Sequence, residues 1–176
     1  MNKLTMCLVD FAVLAVLYFL VFLPKWKHLP RIRLILNTIF YLYLCMVLYE
    51  TLMPVLCSLP NIFRHSYQPM NMSPFIDIVE NHANATQDVI LNIIMMIPLG
   101  FFYPLLFNEK FSKTIAITFL LSLCIELIQP LLSSYRVADI SDVITNTLGG
   151  LIGCLIYYPF REKLQAHLQS HGNTDH

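Results

Sequence analysis

The residues able to do chemistry in this chain are few, and they sit in apolar surroundings. Asp10, Glu50, Asn92, Glu126, Gln129, Arg136, Asp139, Asp142 and Asn146 lie inside or at the edges of long apolar runs. An ionisable group at the middle of a membrane span costs roughly 2.5–3.5 kcal/mol, and less near its ends. Such residues are therefore functional candidates by default. Glu126 and Gln129 are three residues apart, and Asp142 and Asn146 are four apart, so each pair shares a helix face. A carboxylate pair such as Glu126 with Asp142 suits acid–base work if burial separates their proton affinities. An oxygen-rich set would also suit Mg²⁺ or Ca²⁺. Against catalysis, no His lies within an apolar run, and Ser133 and Ser134 have no His base beside them. The chain has neither a Gly-x-Ser-x-Gly elbow nor a His-Glu-x-x-His helix. His167 and His171 have a metal-like spacing on a polar tail, but an exposed pair needs no function. No metal and no cofactor is expected.

Composition sets the class. The chain has 176 residues, 57% hydrophobic and 12% charged, with mean hydropathy +0.63. Soluble domains average about 25% charged residues, so this chain lacks the charge to cover a water-exposed surface. The same composition is the opposite of a disordered one. Lys plus Arg equals Asp plus Glu at 11 each, so nothing points to nucleic acid. The cysteines, Cys7, Cys45, Cys57, Cys124 and Cys154, stand singly. No Cys-x-x-Cys pair suggests zinc or redox chemistry, and thiols in apolar runs act as small hydrophobes.

A span needs about 20 mostly apolar residues. Five runs qualify: Leu4–Leu23, Leu34–Cys57, Val89–Phe107, Ile115–Leu132 and Val143–Phe160. The expected architecture is an all-α polytopic membrane bundle of five transmembrane helices, residues 1–176 forming one integral membrane domain. The first run has one preceding basic residue, Lys3, contains Asp10, and has no small-x-small site, so it does not read as a cleaved signal peptide. Lys25, Lys27, Arg31, Arg33, Lys110, Lys113, Arg161 and Lys163 fall on one side, and Lys3, Arg64 and Arg136 on the other. The positive-inside rule then places the N-terminus outside and the C-terminus, with the polar tail 161–176, in the cytoplasm. The loop Ser58–Asp88 lies outside, and its Phe75–Val79 patch suits an interfacial or re-entrant turn.

With that orientation the polar residues share one layer. At about 1.5 Å per residue, each lies in the outer half of its span. The inner halves read as almost purely Leu, Ile, Phe and Tyr. A channel or a transporter would want polar groups along its whole path. Here the expectation is an outward-facing acidic cup over an apolar floor, with Asn92, Glu126, Gln129, Arg136, Asp139, Asp142 and Asn146 as ligand-binding residues. Asp10 and Glu50 lie at the depth of the cup, and whether they join it stays open; the plainer expectation for Asp10 is a place facing the lipid headgroups. Pro98 is expected to kink the third span. Gly149-x-x-x-Gly153 allows close backbone approach, inward within one chain or, as the alternative, across a homodimer seam.

Five segments, in order, resemble the VanZ-like family. They are Tyr49-Glu-Thr-Leu-Met-Pro54, Asn71-Met-Ser-Pro74-Phe75, Asn92 with Ile97-Pro98-Leu-Gly100-Phe101, Glu126-Leu-Ile-Gln129, and Arg136-Val-Ala-Asp139 running on through Asp142, Asn146 and Gly149 to Gly153. The likeness covers residues 49–157. It implies a multi-pass protein of the cytoplasmic membrane in a cell-envelope context, in a family named for lowered susceptibility to teicoplanin. Pro54, Pro74, Pro98, Gly100, Gly149 and Gly153 are its structural positions.

Three functions compete. A binder would hold or shield a lipid-linked cell-wall precursor or lipoglycopeptide, with Arg136 on a phosphate or carboxylate. An enzyme would act on an envelope lipid through the same carboxylates. A structural partner of another membrane protein would use the polar layer as helix-to-helix glue.

Overall fold

A computed structural model of the chain describes residues 2–62, 66–133 and 136–170. Arg64, Ser134 and His171, singled out above, lie outside the described residues. Among these the chain is helical, with one isolated parallel bridge pairing Asn71 with Asp139. Five helices are long and apolar enough to cross a membrane: Lys3–Trp26, Arg31–Thr51, Ala85–Phe107, Phe111–Leu132 and Ile140–Ser170.

The chain divides into two compact units, Met1–Pro60 with Phe160–His176, and Asn61–Pro159. The first contains α1 (Lys3–Leu17), α2 (Leu23–Trp26) and α3 (Arg31–Thr51). Between α1 and α2 the helix widens to five-residue bonding over Tyr18–Phe22. Pro24 follows at once and has no N–H to give the Leu20 carbonyl, which favours such a local widening. Tyr18, Phe22, Trp26 and Tyr41 form one aromatic cluster with ring centroids 5.0–6.3 Å apart, and the Tyr41 hydroxyl donates to the Leu14 carbonyl at 2.7 Å.

Two expectations fail in this unit. The second span stops at Thr51 rather than Cys57. Pro54 lacks a donor and disfavours the helical region for Met53, so the apolar residues 52–57 form turns instead. Asp10 does not face headgroups. It is buried, and its carboxylate accepts the N–H of Val55 at 2.6 Å and of Leu56 at 3.0 Å. The turn after α3 has no helical partners for these N–H groups, and the acid satisfies them. Glu50 is exposed.

The second unit contains α4 (Ile76–Val79), α5 (Ala85–Phe107), α6 (Phe111–Leu132) and α7 (Ile140–Tyr157). A 3-10 turn, Tyr158–Phe160, leads on to α8 (Arg161–Ser170) in the first unit. The polar tail thus begins as a helix. α5 and α7 run the same way, with α6 antiparallel between them in sequence. Ile93 sits at Gly149 and Ile97 at Gly153, while Thr118 sits at Gly150. α5 carries Pro98 and Pro104 within one continuous helix.

The glycine face of α7 is used inside the chain. A Cβ on Gly149 would lie 2.2 Å from the Ile93 carbonyl oxygen, and one on Gly153 would lie 2.1 Å from that of Ile97. Gly100 meets Gly150 in the same way, at 2.0 Å from its carbonyl oxygen. Such approach is open only to glycine. Met96, Leu99, Val143, Cys154 and Tyr157 fill the rest of this core.

Candidate functional site

α7 begins at a junction of three chain segments. Asp139 is its N-cap, and Oδ1 accepts the Ser141 N–H at 2.6 Å. Asp is a preferred residue here because it satisfies an N–H that the first helical turn leaves over. Its other oxygen, Oδ2, accepts from Asn71 Nδ2 at 2.9 Å. The Asn71 backbone completes the contact, donating to the Ala138 carbonyl at 2.8 Å and accepting from Ile140 at 3.0 Å. Four residues on, the Phe75 N–H donates to Ser141 Oγ at 2.9 Å. Phe75 has φ 58°, a left-handed conformation that is unfavourable for a bulky residue. The segment 71–75 is thus strapped across the start of α7.

The third segment is α6. Glu126, only 2% exposed, accepts the Asp139 N–H on Oε2 at 3.0 Å. A buried carboxylate needs such partners to offset lost hydration. Arg136 is half-buried and lies within electrostatic reach of Glu126. α5 joins through Asn92, whose Nδ2 donates to Asp142 Oδ1 at 2.8 Å. Asp142 also feels the charges of Asp139, Asp88 and Asp77. One turn further along α7, Asn146 Nδ2 donates to Ser122 Oγ on α6 at 2.9 Å.

Six of the seven residues expected in the cup therefore gather here: Asn92, Glu126, Arg136, Asp139, Asp142 and Asn146. Gln129 is half-buried, one turn beyond Glu126 on α6. Pro74 sits in the strap and Gly149 in the seam beneath it. The carboxylates of Glu126, Asp139 and Asp142 each accept at least one hydrogen bond. Among the described residues, no three of His, Cys, Asp and Glu converge as metal ligands would.

Several participants were not picked out from the sequence. Asn71 and Ser141 fall within the family-like segments but were not placed in the cup, because their partners are far away in sequence. Ser122 belongs to a column that could have been read. Thr114, Thr118, Ser122 and Glu126 recur every four residues and are all buried. The N-terminal half of α6, expected to be the apolar inner half, is therefore not purely apolar. Thr114 and Thr118 donate to their own helix, to the Lys110 and Thr114 carbonyls, which satisfies their hydroxyls without a partner helix.

A family model described as VanZ/LLP1 matches residues 40–161, which contain every residue of the cluster. The chain is 31% identical over 117 residues to Protein VanZ of Enterococcus faecium, a match covering 66% of this chain and 69% of that one. No solved structure matches it. With five helices of membrane-spanning length and a family match over most of its residues, the chain is a multi-pass membrane protein and belongs to the VanZ/LLP1 family.

Proposed function

We propose that this VanZ-family protein lowers teicoplanin susceptibility from the outer face of the cytoplasmic membrane. Its polar cluster there binds or shields a lipid-linked envelope component or the lipoglycopeptide itself. The observation that carries the reading is the joining of α5, α6 and α7 by one acidic, partly accessible cluster under the 71–75 strap, within the family-matched region. Arg136 is the cationic contact for a phosphate or carboxylate. Asp139, Asp142 and Asn146 meet hydroxyl, amide or amine groups. The excess of Lys and Arg in the first and third loops and after the last span supports an outward place for this end of the helices.

The test is teicoplanin susceptibility of a sensitive Gram-positive host expressing this chain, beside Arg136→Ala and Asp142→Asn at matched membrane levels. The native chain should protect, and both variants should fail while still inserted. No protection by the native chain would remove resistance from its role. Full protection by both variants would reduce the cluster to structure.

The second reading is helix glue. It is favoured by the hydrogen bonds already made by Glu126, Asp139 and Asp142. On that reading Asp142→Asn lowers the amount of inserted protein, and protection per molecule stays unchanged.

A further inference from the structure

The cluster leaves one buried polar atom over. Asn146 is 2% exposed, and its Nδ2 is engaged by Ser122. Its Oδ1 accepts no hydrogen bond from the described residues. Buried polar atoms without partners are rare in native proteins, and each calls for an explanation. Side chains on a helix lean toward its N-terminus. Asn146 therefore leans toward Asp142, one turn nearer the start of α7. On antiparallel α6, Glu126 lies one turn beyond Ser122 at that same level, where it meets Asp139. The unpartnered carbonyl thus belongs to a residue one turn from Asp142 on α7, whose partner Ser122 is one turn from Glu126 on α6.

The surroundings bear on what could meet it. The Asn92 amide is committed to Asp142, and the Asp139 N–H to Glu126. Three carboxylates, with Asp88 within electrostatic reach of Asp142, outweigh the one guanidinium of Arg136. Among the described residues, the carboxylates do not converge as ligands of a bare metal ion would. A positively charged group that brings its own N–H donors fits better.

We infer that Asn146 Oδ1 is the inner acceptor of a site for a primary ammonium group carried by the ligand. This rests on the reading of the cluster as a binding site. An ammonium has three donors and one charge, which answers an amide carbonyl together with the carboxylates of Asp142 and Glu126. A hydroxyl brings a donor without charge. A quaternary ammonium brings charge without a donor.

The test uses the full chain in lipid nanodiscs and four probes: dodecylammonium, dodecyltrimethylammonium, dodecanol and dodecanoate. Calorimetric titration, with empty nanodiscs subtracted, gives the affinities. Dodecylammonium should bind about tenfold more tightly than each of the others, and Asn146→Ala should weaken it about tenfold. Ser122→Ala leaves Oδ1 in place and should change the affinity less than about threefold. Asn146→Asp keeps an acceptor there and should bind at least as well as the native chain; it carries the test if Asn146→Ala does not fold.

Equal binding of both ammonium probes, or of dodecanol, overturns the inference. So does preference for dodecanoate, which would mean that the amide presents its NH₂. An unchanged affinity for Asn146→Ala, or a weakened one for Asn146→Asp, overturns it too. Teicoplanin protection without selective ammonium binding sinks this inference alone. Selective binding without protection sinks the resistance reading and leaves the ammonium site standing.

Discussion

The Cys154 thiol donates to the Gly100 carbonyl oxygen at 3.4 Å, and Gly100 is the residue that Pro104 leaves without a helical donor. In a helix the N–H of residue 104 would serve the carbonyl of residue 100, and proline has none. α7 supplies the missing donor, and the glycine contact between Gly100 and Gly150 brings it within reach. Cys154→Ala should therefore cost roughly 1–2 kcal/mol, from the lost donor and a small cavity. In Pro104→Ala the backbone N–H returns, so the same Cys154→Ala change should cost less. A double-mutant cycle on thermal unfolding in detergent checks this, and additive effects would refute the coupling.

The Gly149 position tolerates no side chain. A Cβ 2.2 Å from the Ile93 carbonyl oxygen meets backbone, which cannot rotate away. Gly149→Ala should push α5 and α7 apart at a cost of about 3 kcal/mol or more. Leu148, next door and outward-facing, should accept Ala with little effect. Fluorescence-detected size exclusion of tagged protein checks this, with loss of the monodisperse peak expected for the glycine variant alone.

These contacts mark what the sequence made legible. Five spans could be read because about 20 consecutive apolar residues have little use other than crossing a membrane. The inward glycine face followed from Asn146 and Asp142 sharing it. The end of the second span did not follow. Leu52 to Cys57 stay apolar after the helix stops, and hydropathy does not register a turn. The place of Asp10 stayed open because span length leaves helix rotation open, and nothing local says that its carboxylate meets the turn after α3. Asn71 and Asp139 are 68 residues apart, and no period links them. Ser122 was legible through its four-residue column but counted as neutral on hydropathy.

The Asn71–Asp139 pair allows the strap to be separated from the helix cap. Asp139→Asn keeps an oxygen for the Ser141 N–H, so α7 remains capped. Its amide nitrogen would then oppose Asn71 Nδ2, donor against donor. The strap should loosen while α7 stays intact. Hydrogen exchange should rise in residues 71–75 and stay low in α7. Exchanging both residues, Asn71→Asp with Asp139→Asn, restores one donor and one acceptor. The carboxylate introduced at position 71 can still accept the Ser73 N–H that Asn71 holds now. Exchange in the strap should return close to native. A double variant as loose as the single one would show that the side-chain pair does not hold the strap.

Asp10 and Glu50 are both acids within spans, yet they should answer substitution differently. Asp10 is buried and holds two backbone N–H groups. Asp10→Ala would leave both unsatisfied, at roughly 1–3 kcal/mol for each buried group. Asp10→Asn keeps one acceptor and places an NH₂ against the other N–H, so it should fall between Ala and native. Glu50 is exposed, and Glu50→Gln should shift stability by less than about 0.5 kcal/mol, as for other surface substitutions. Thermal unfolding of the three purified variants in one detergent gives the ranking. If Asp10→Ala unfolds with Glu50→Gln, the carboxylate does not hold the turn after α3. If Glu50→Gln instead falls with Asp10→Ala, Glu50 has a partner that its exposure does not suggest.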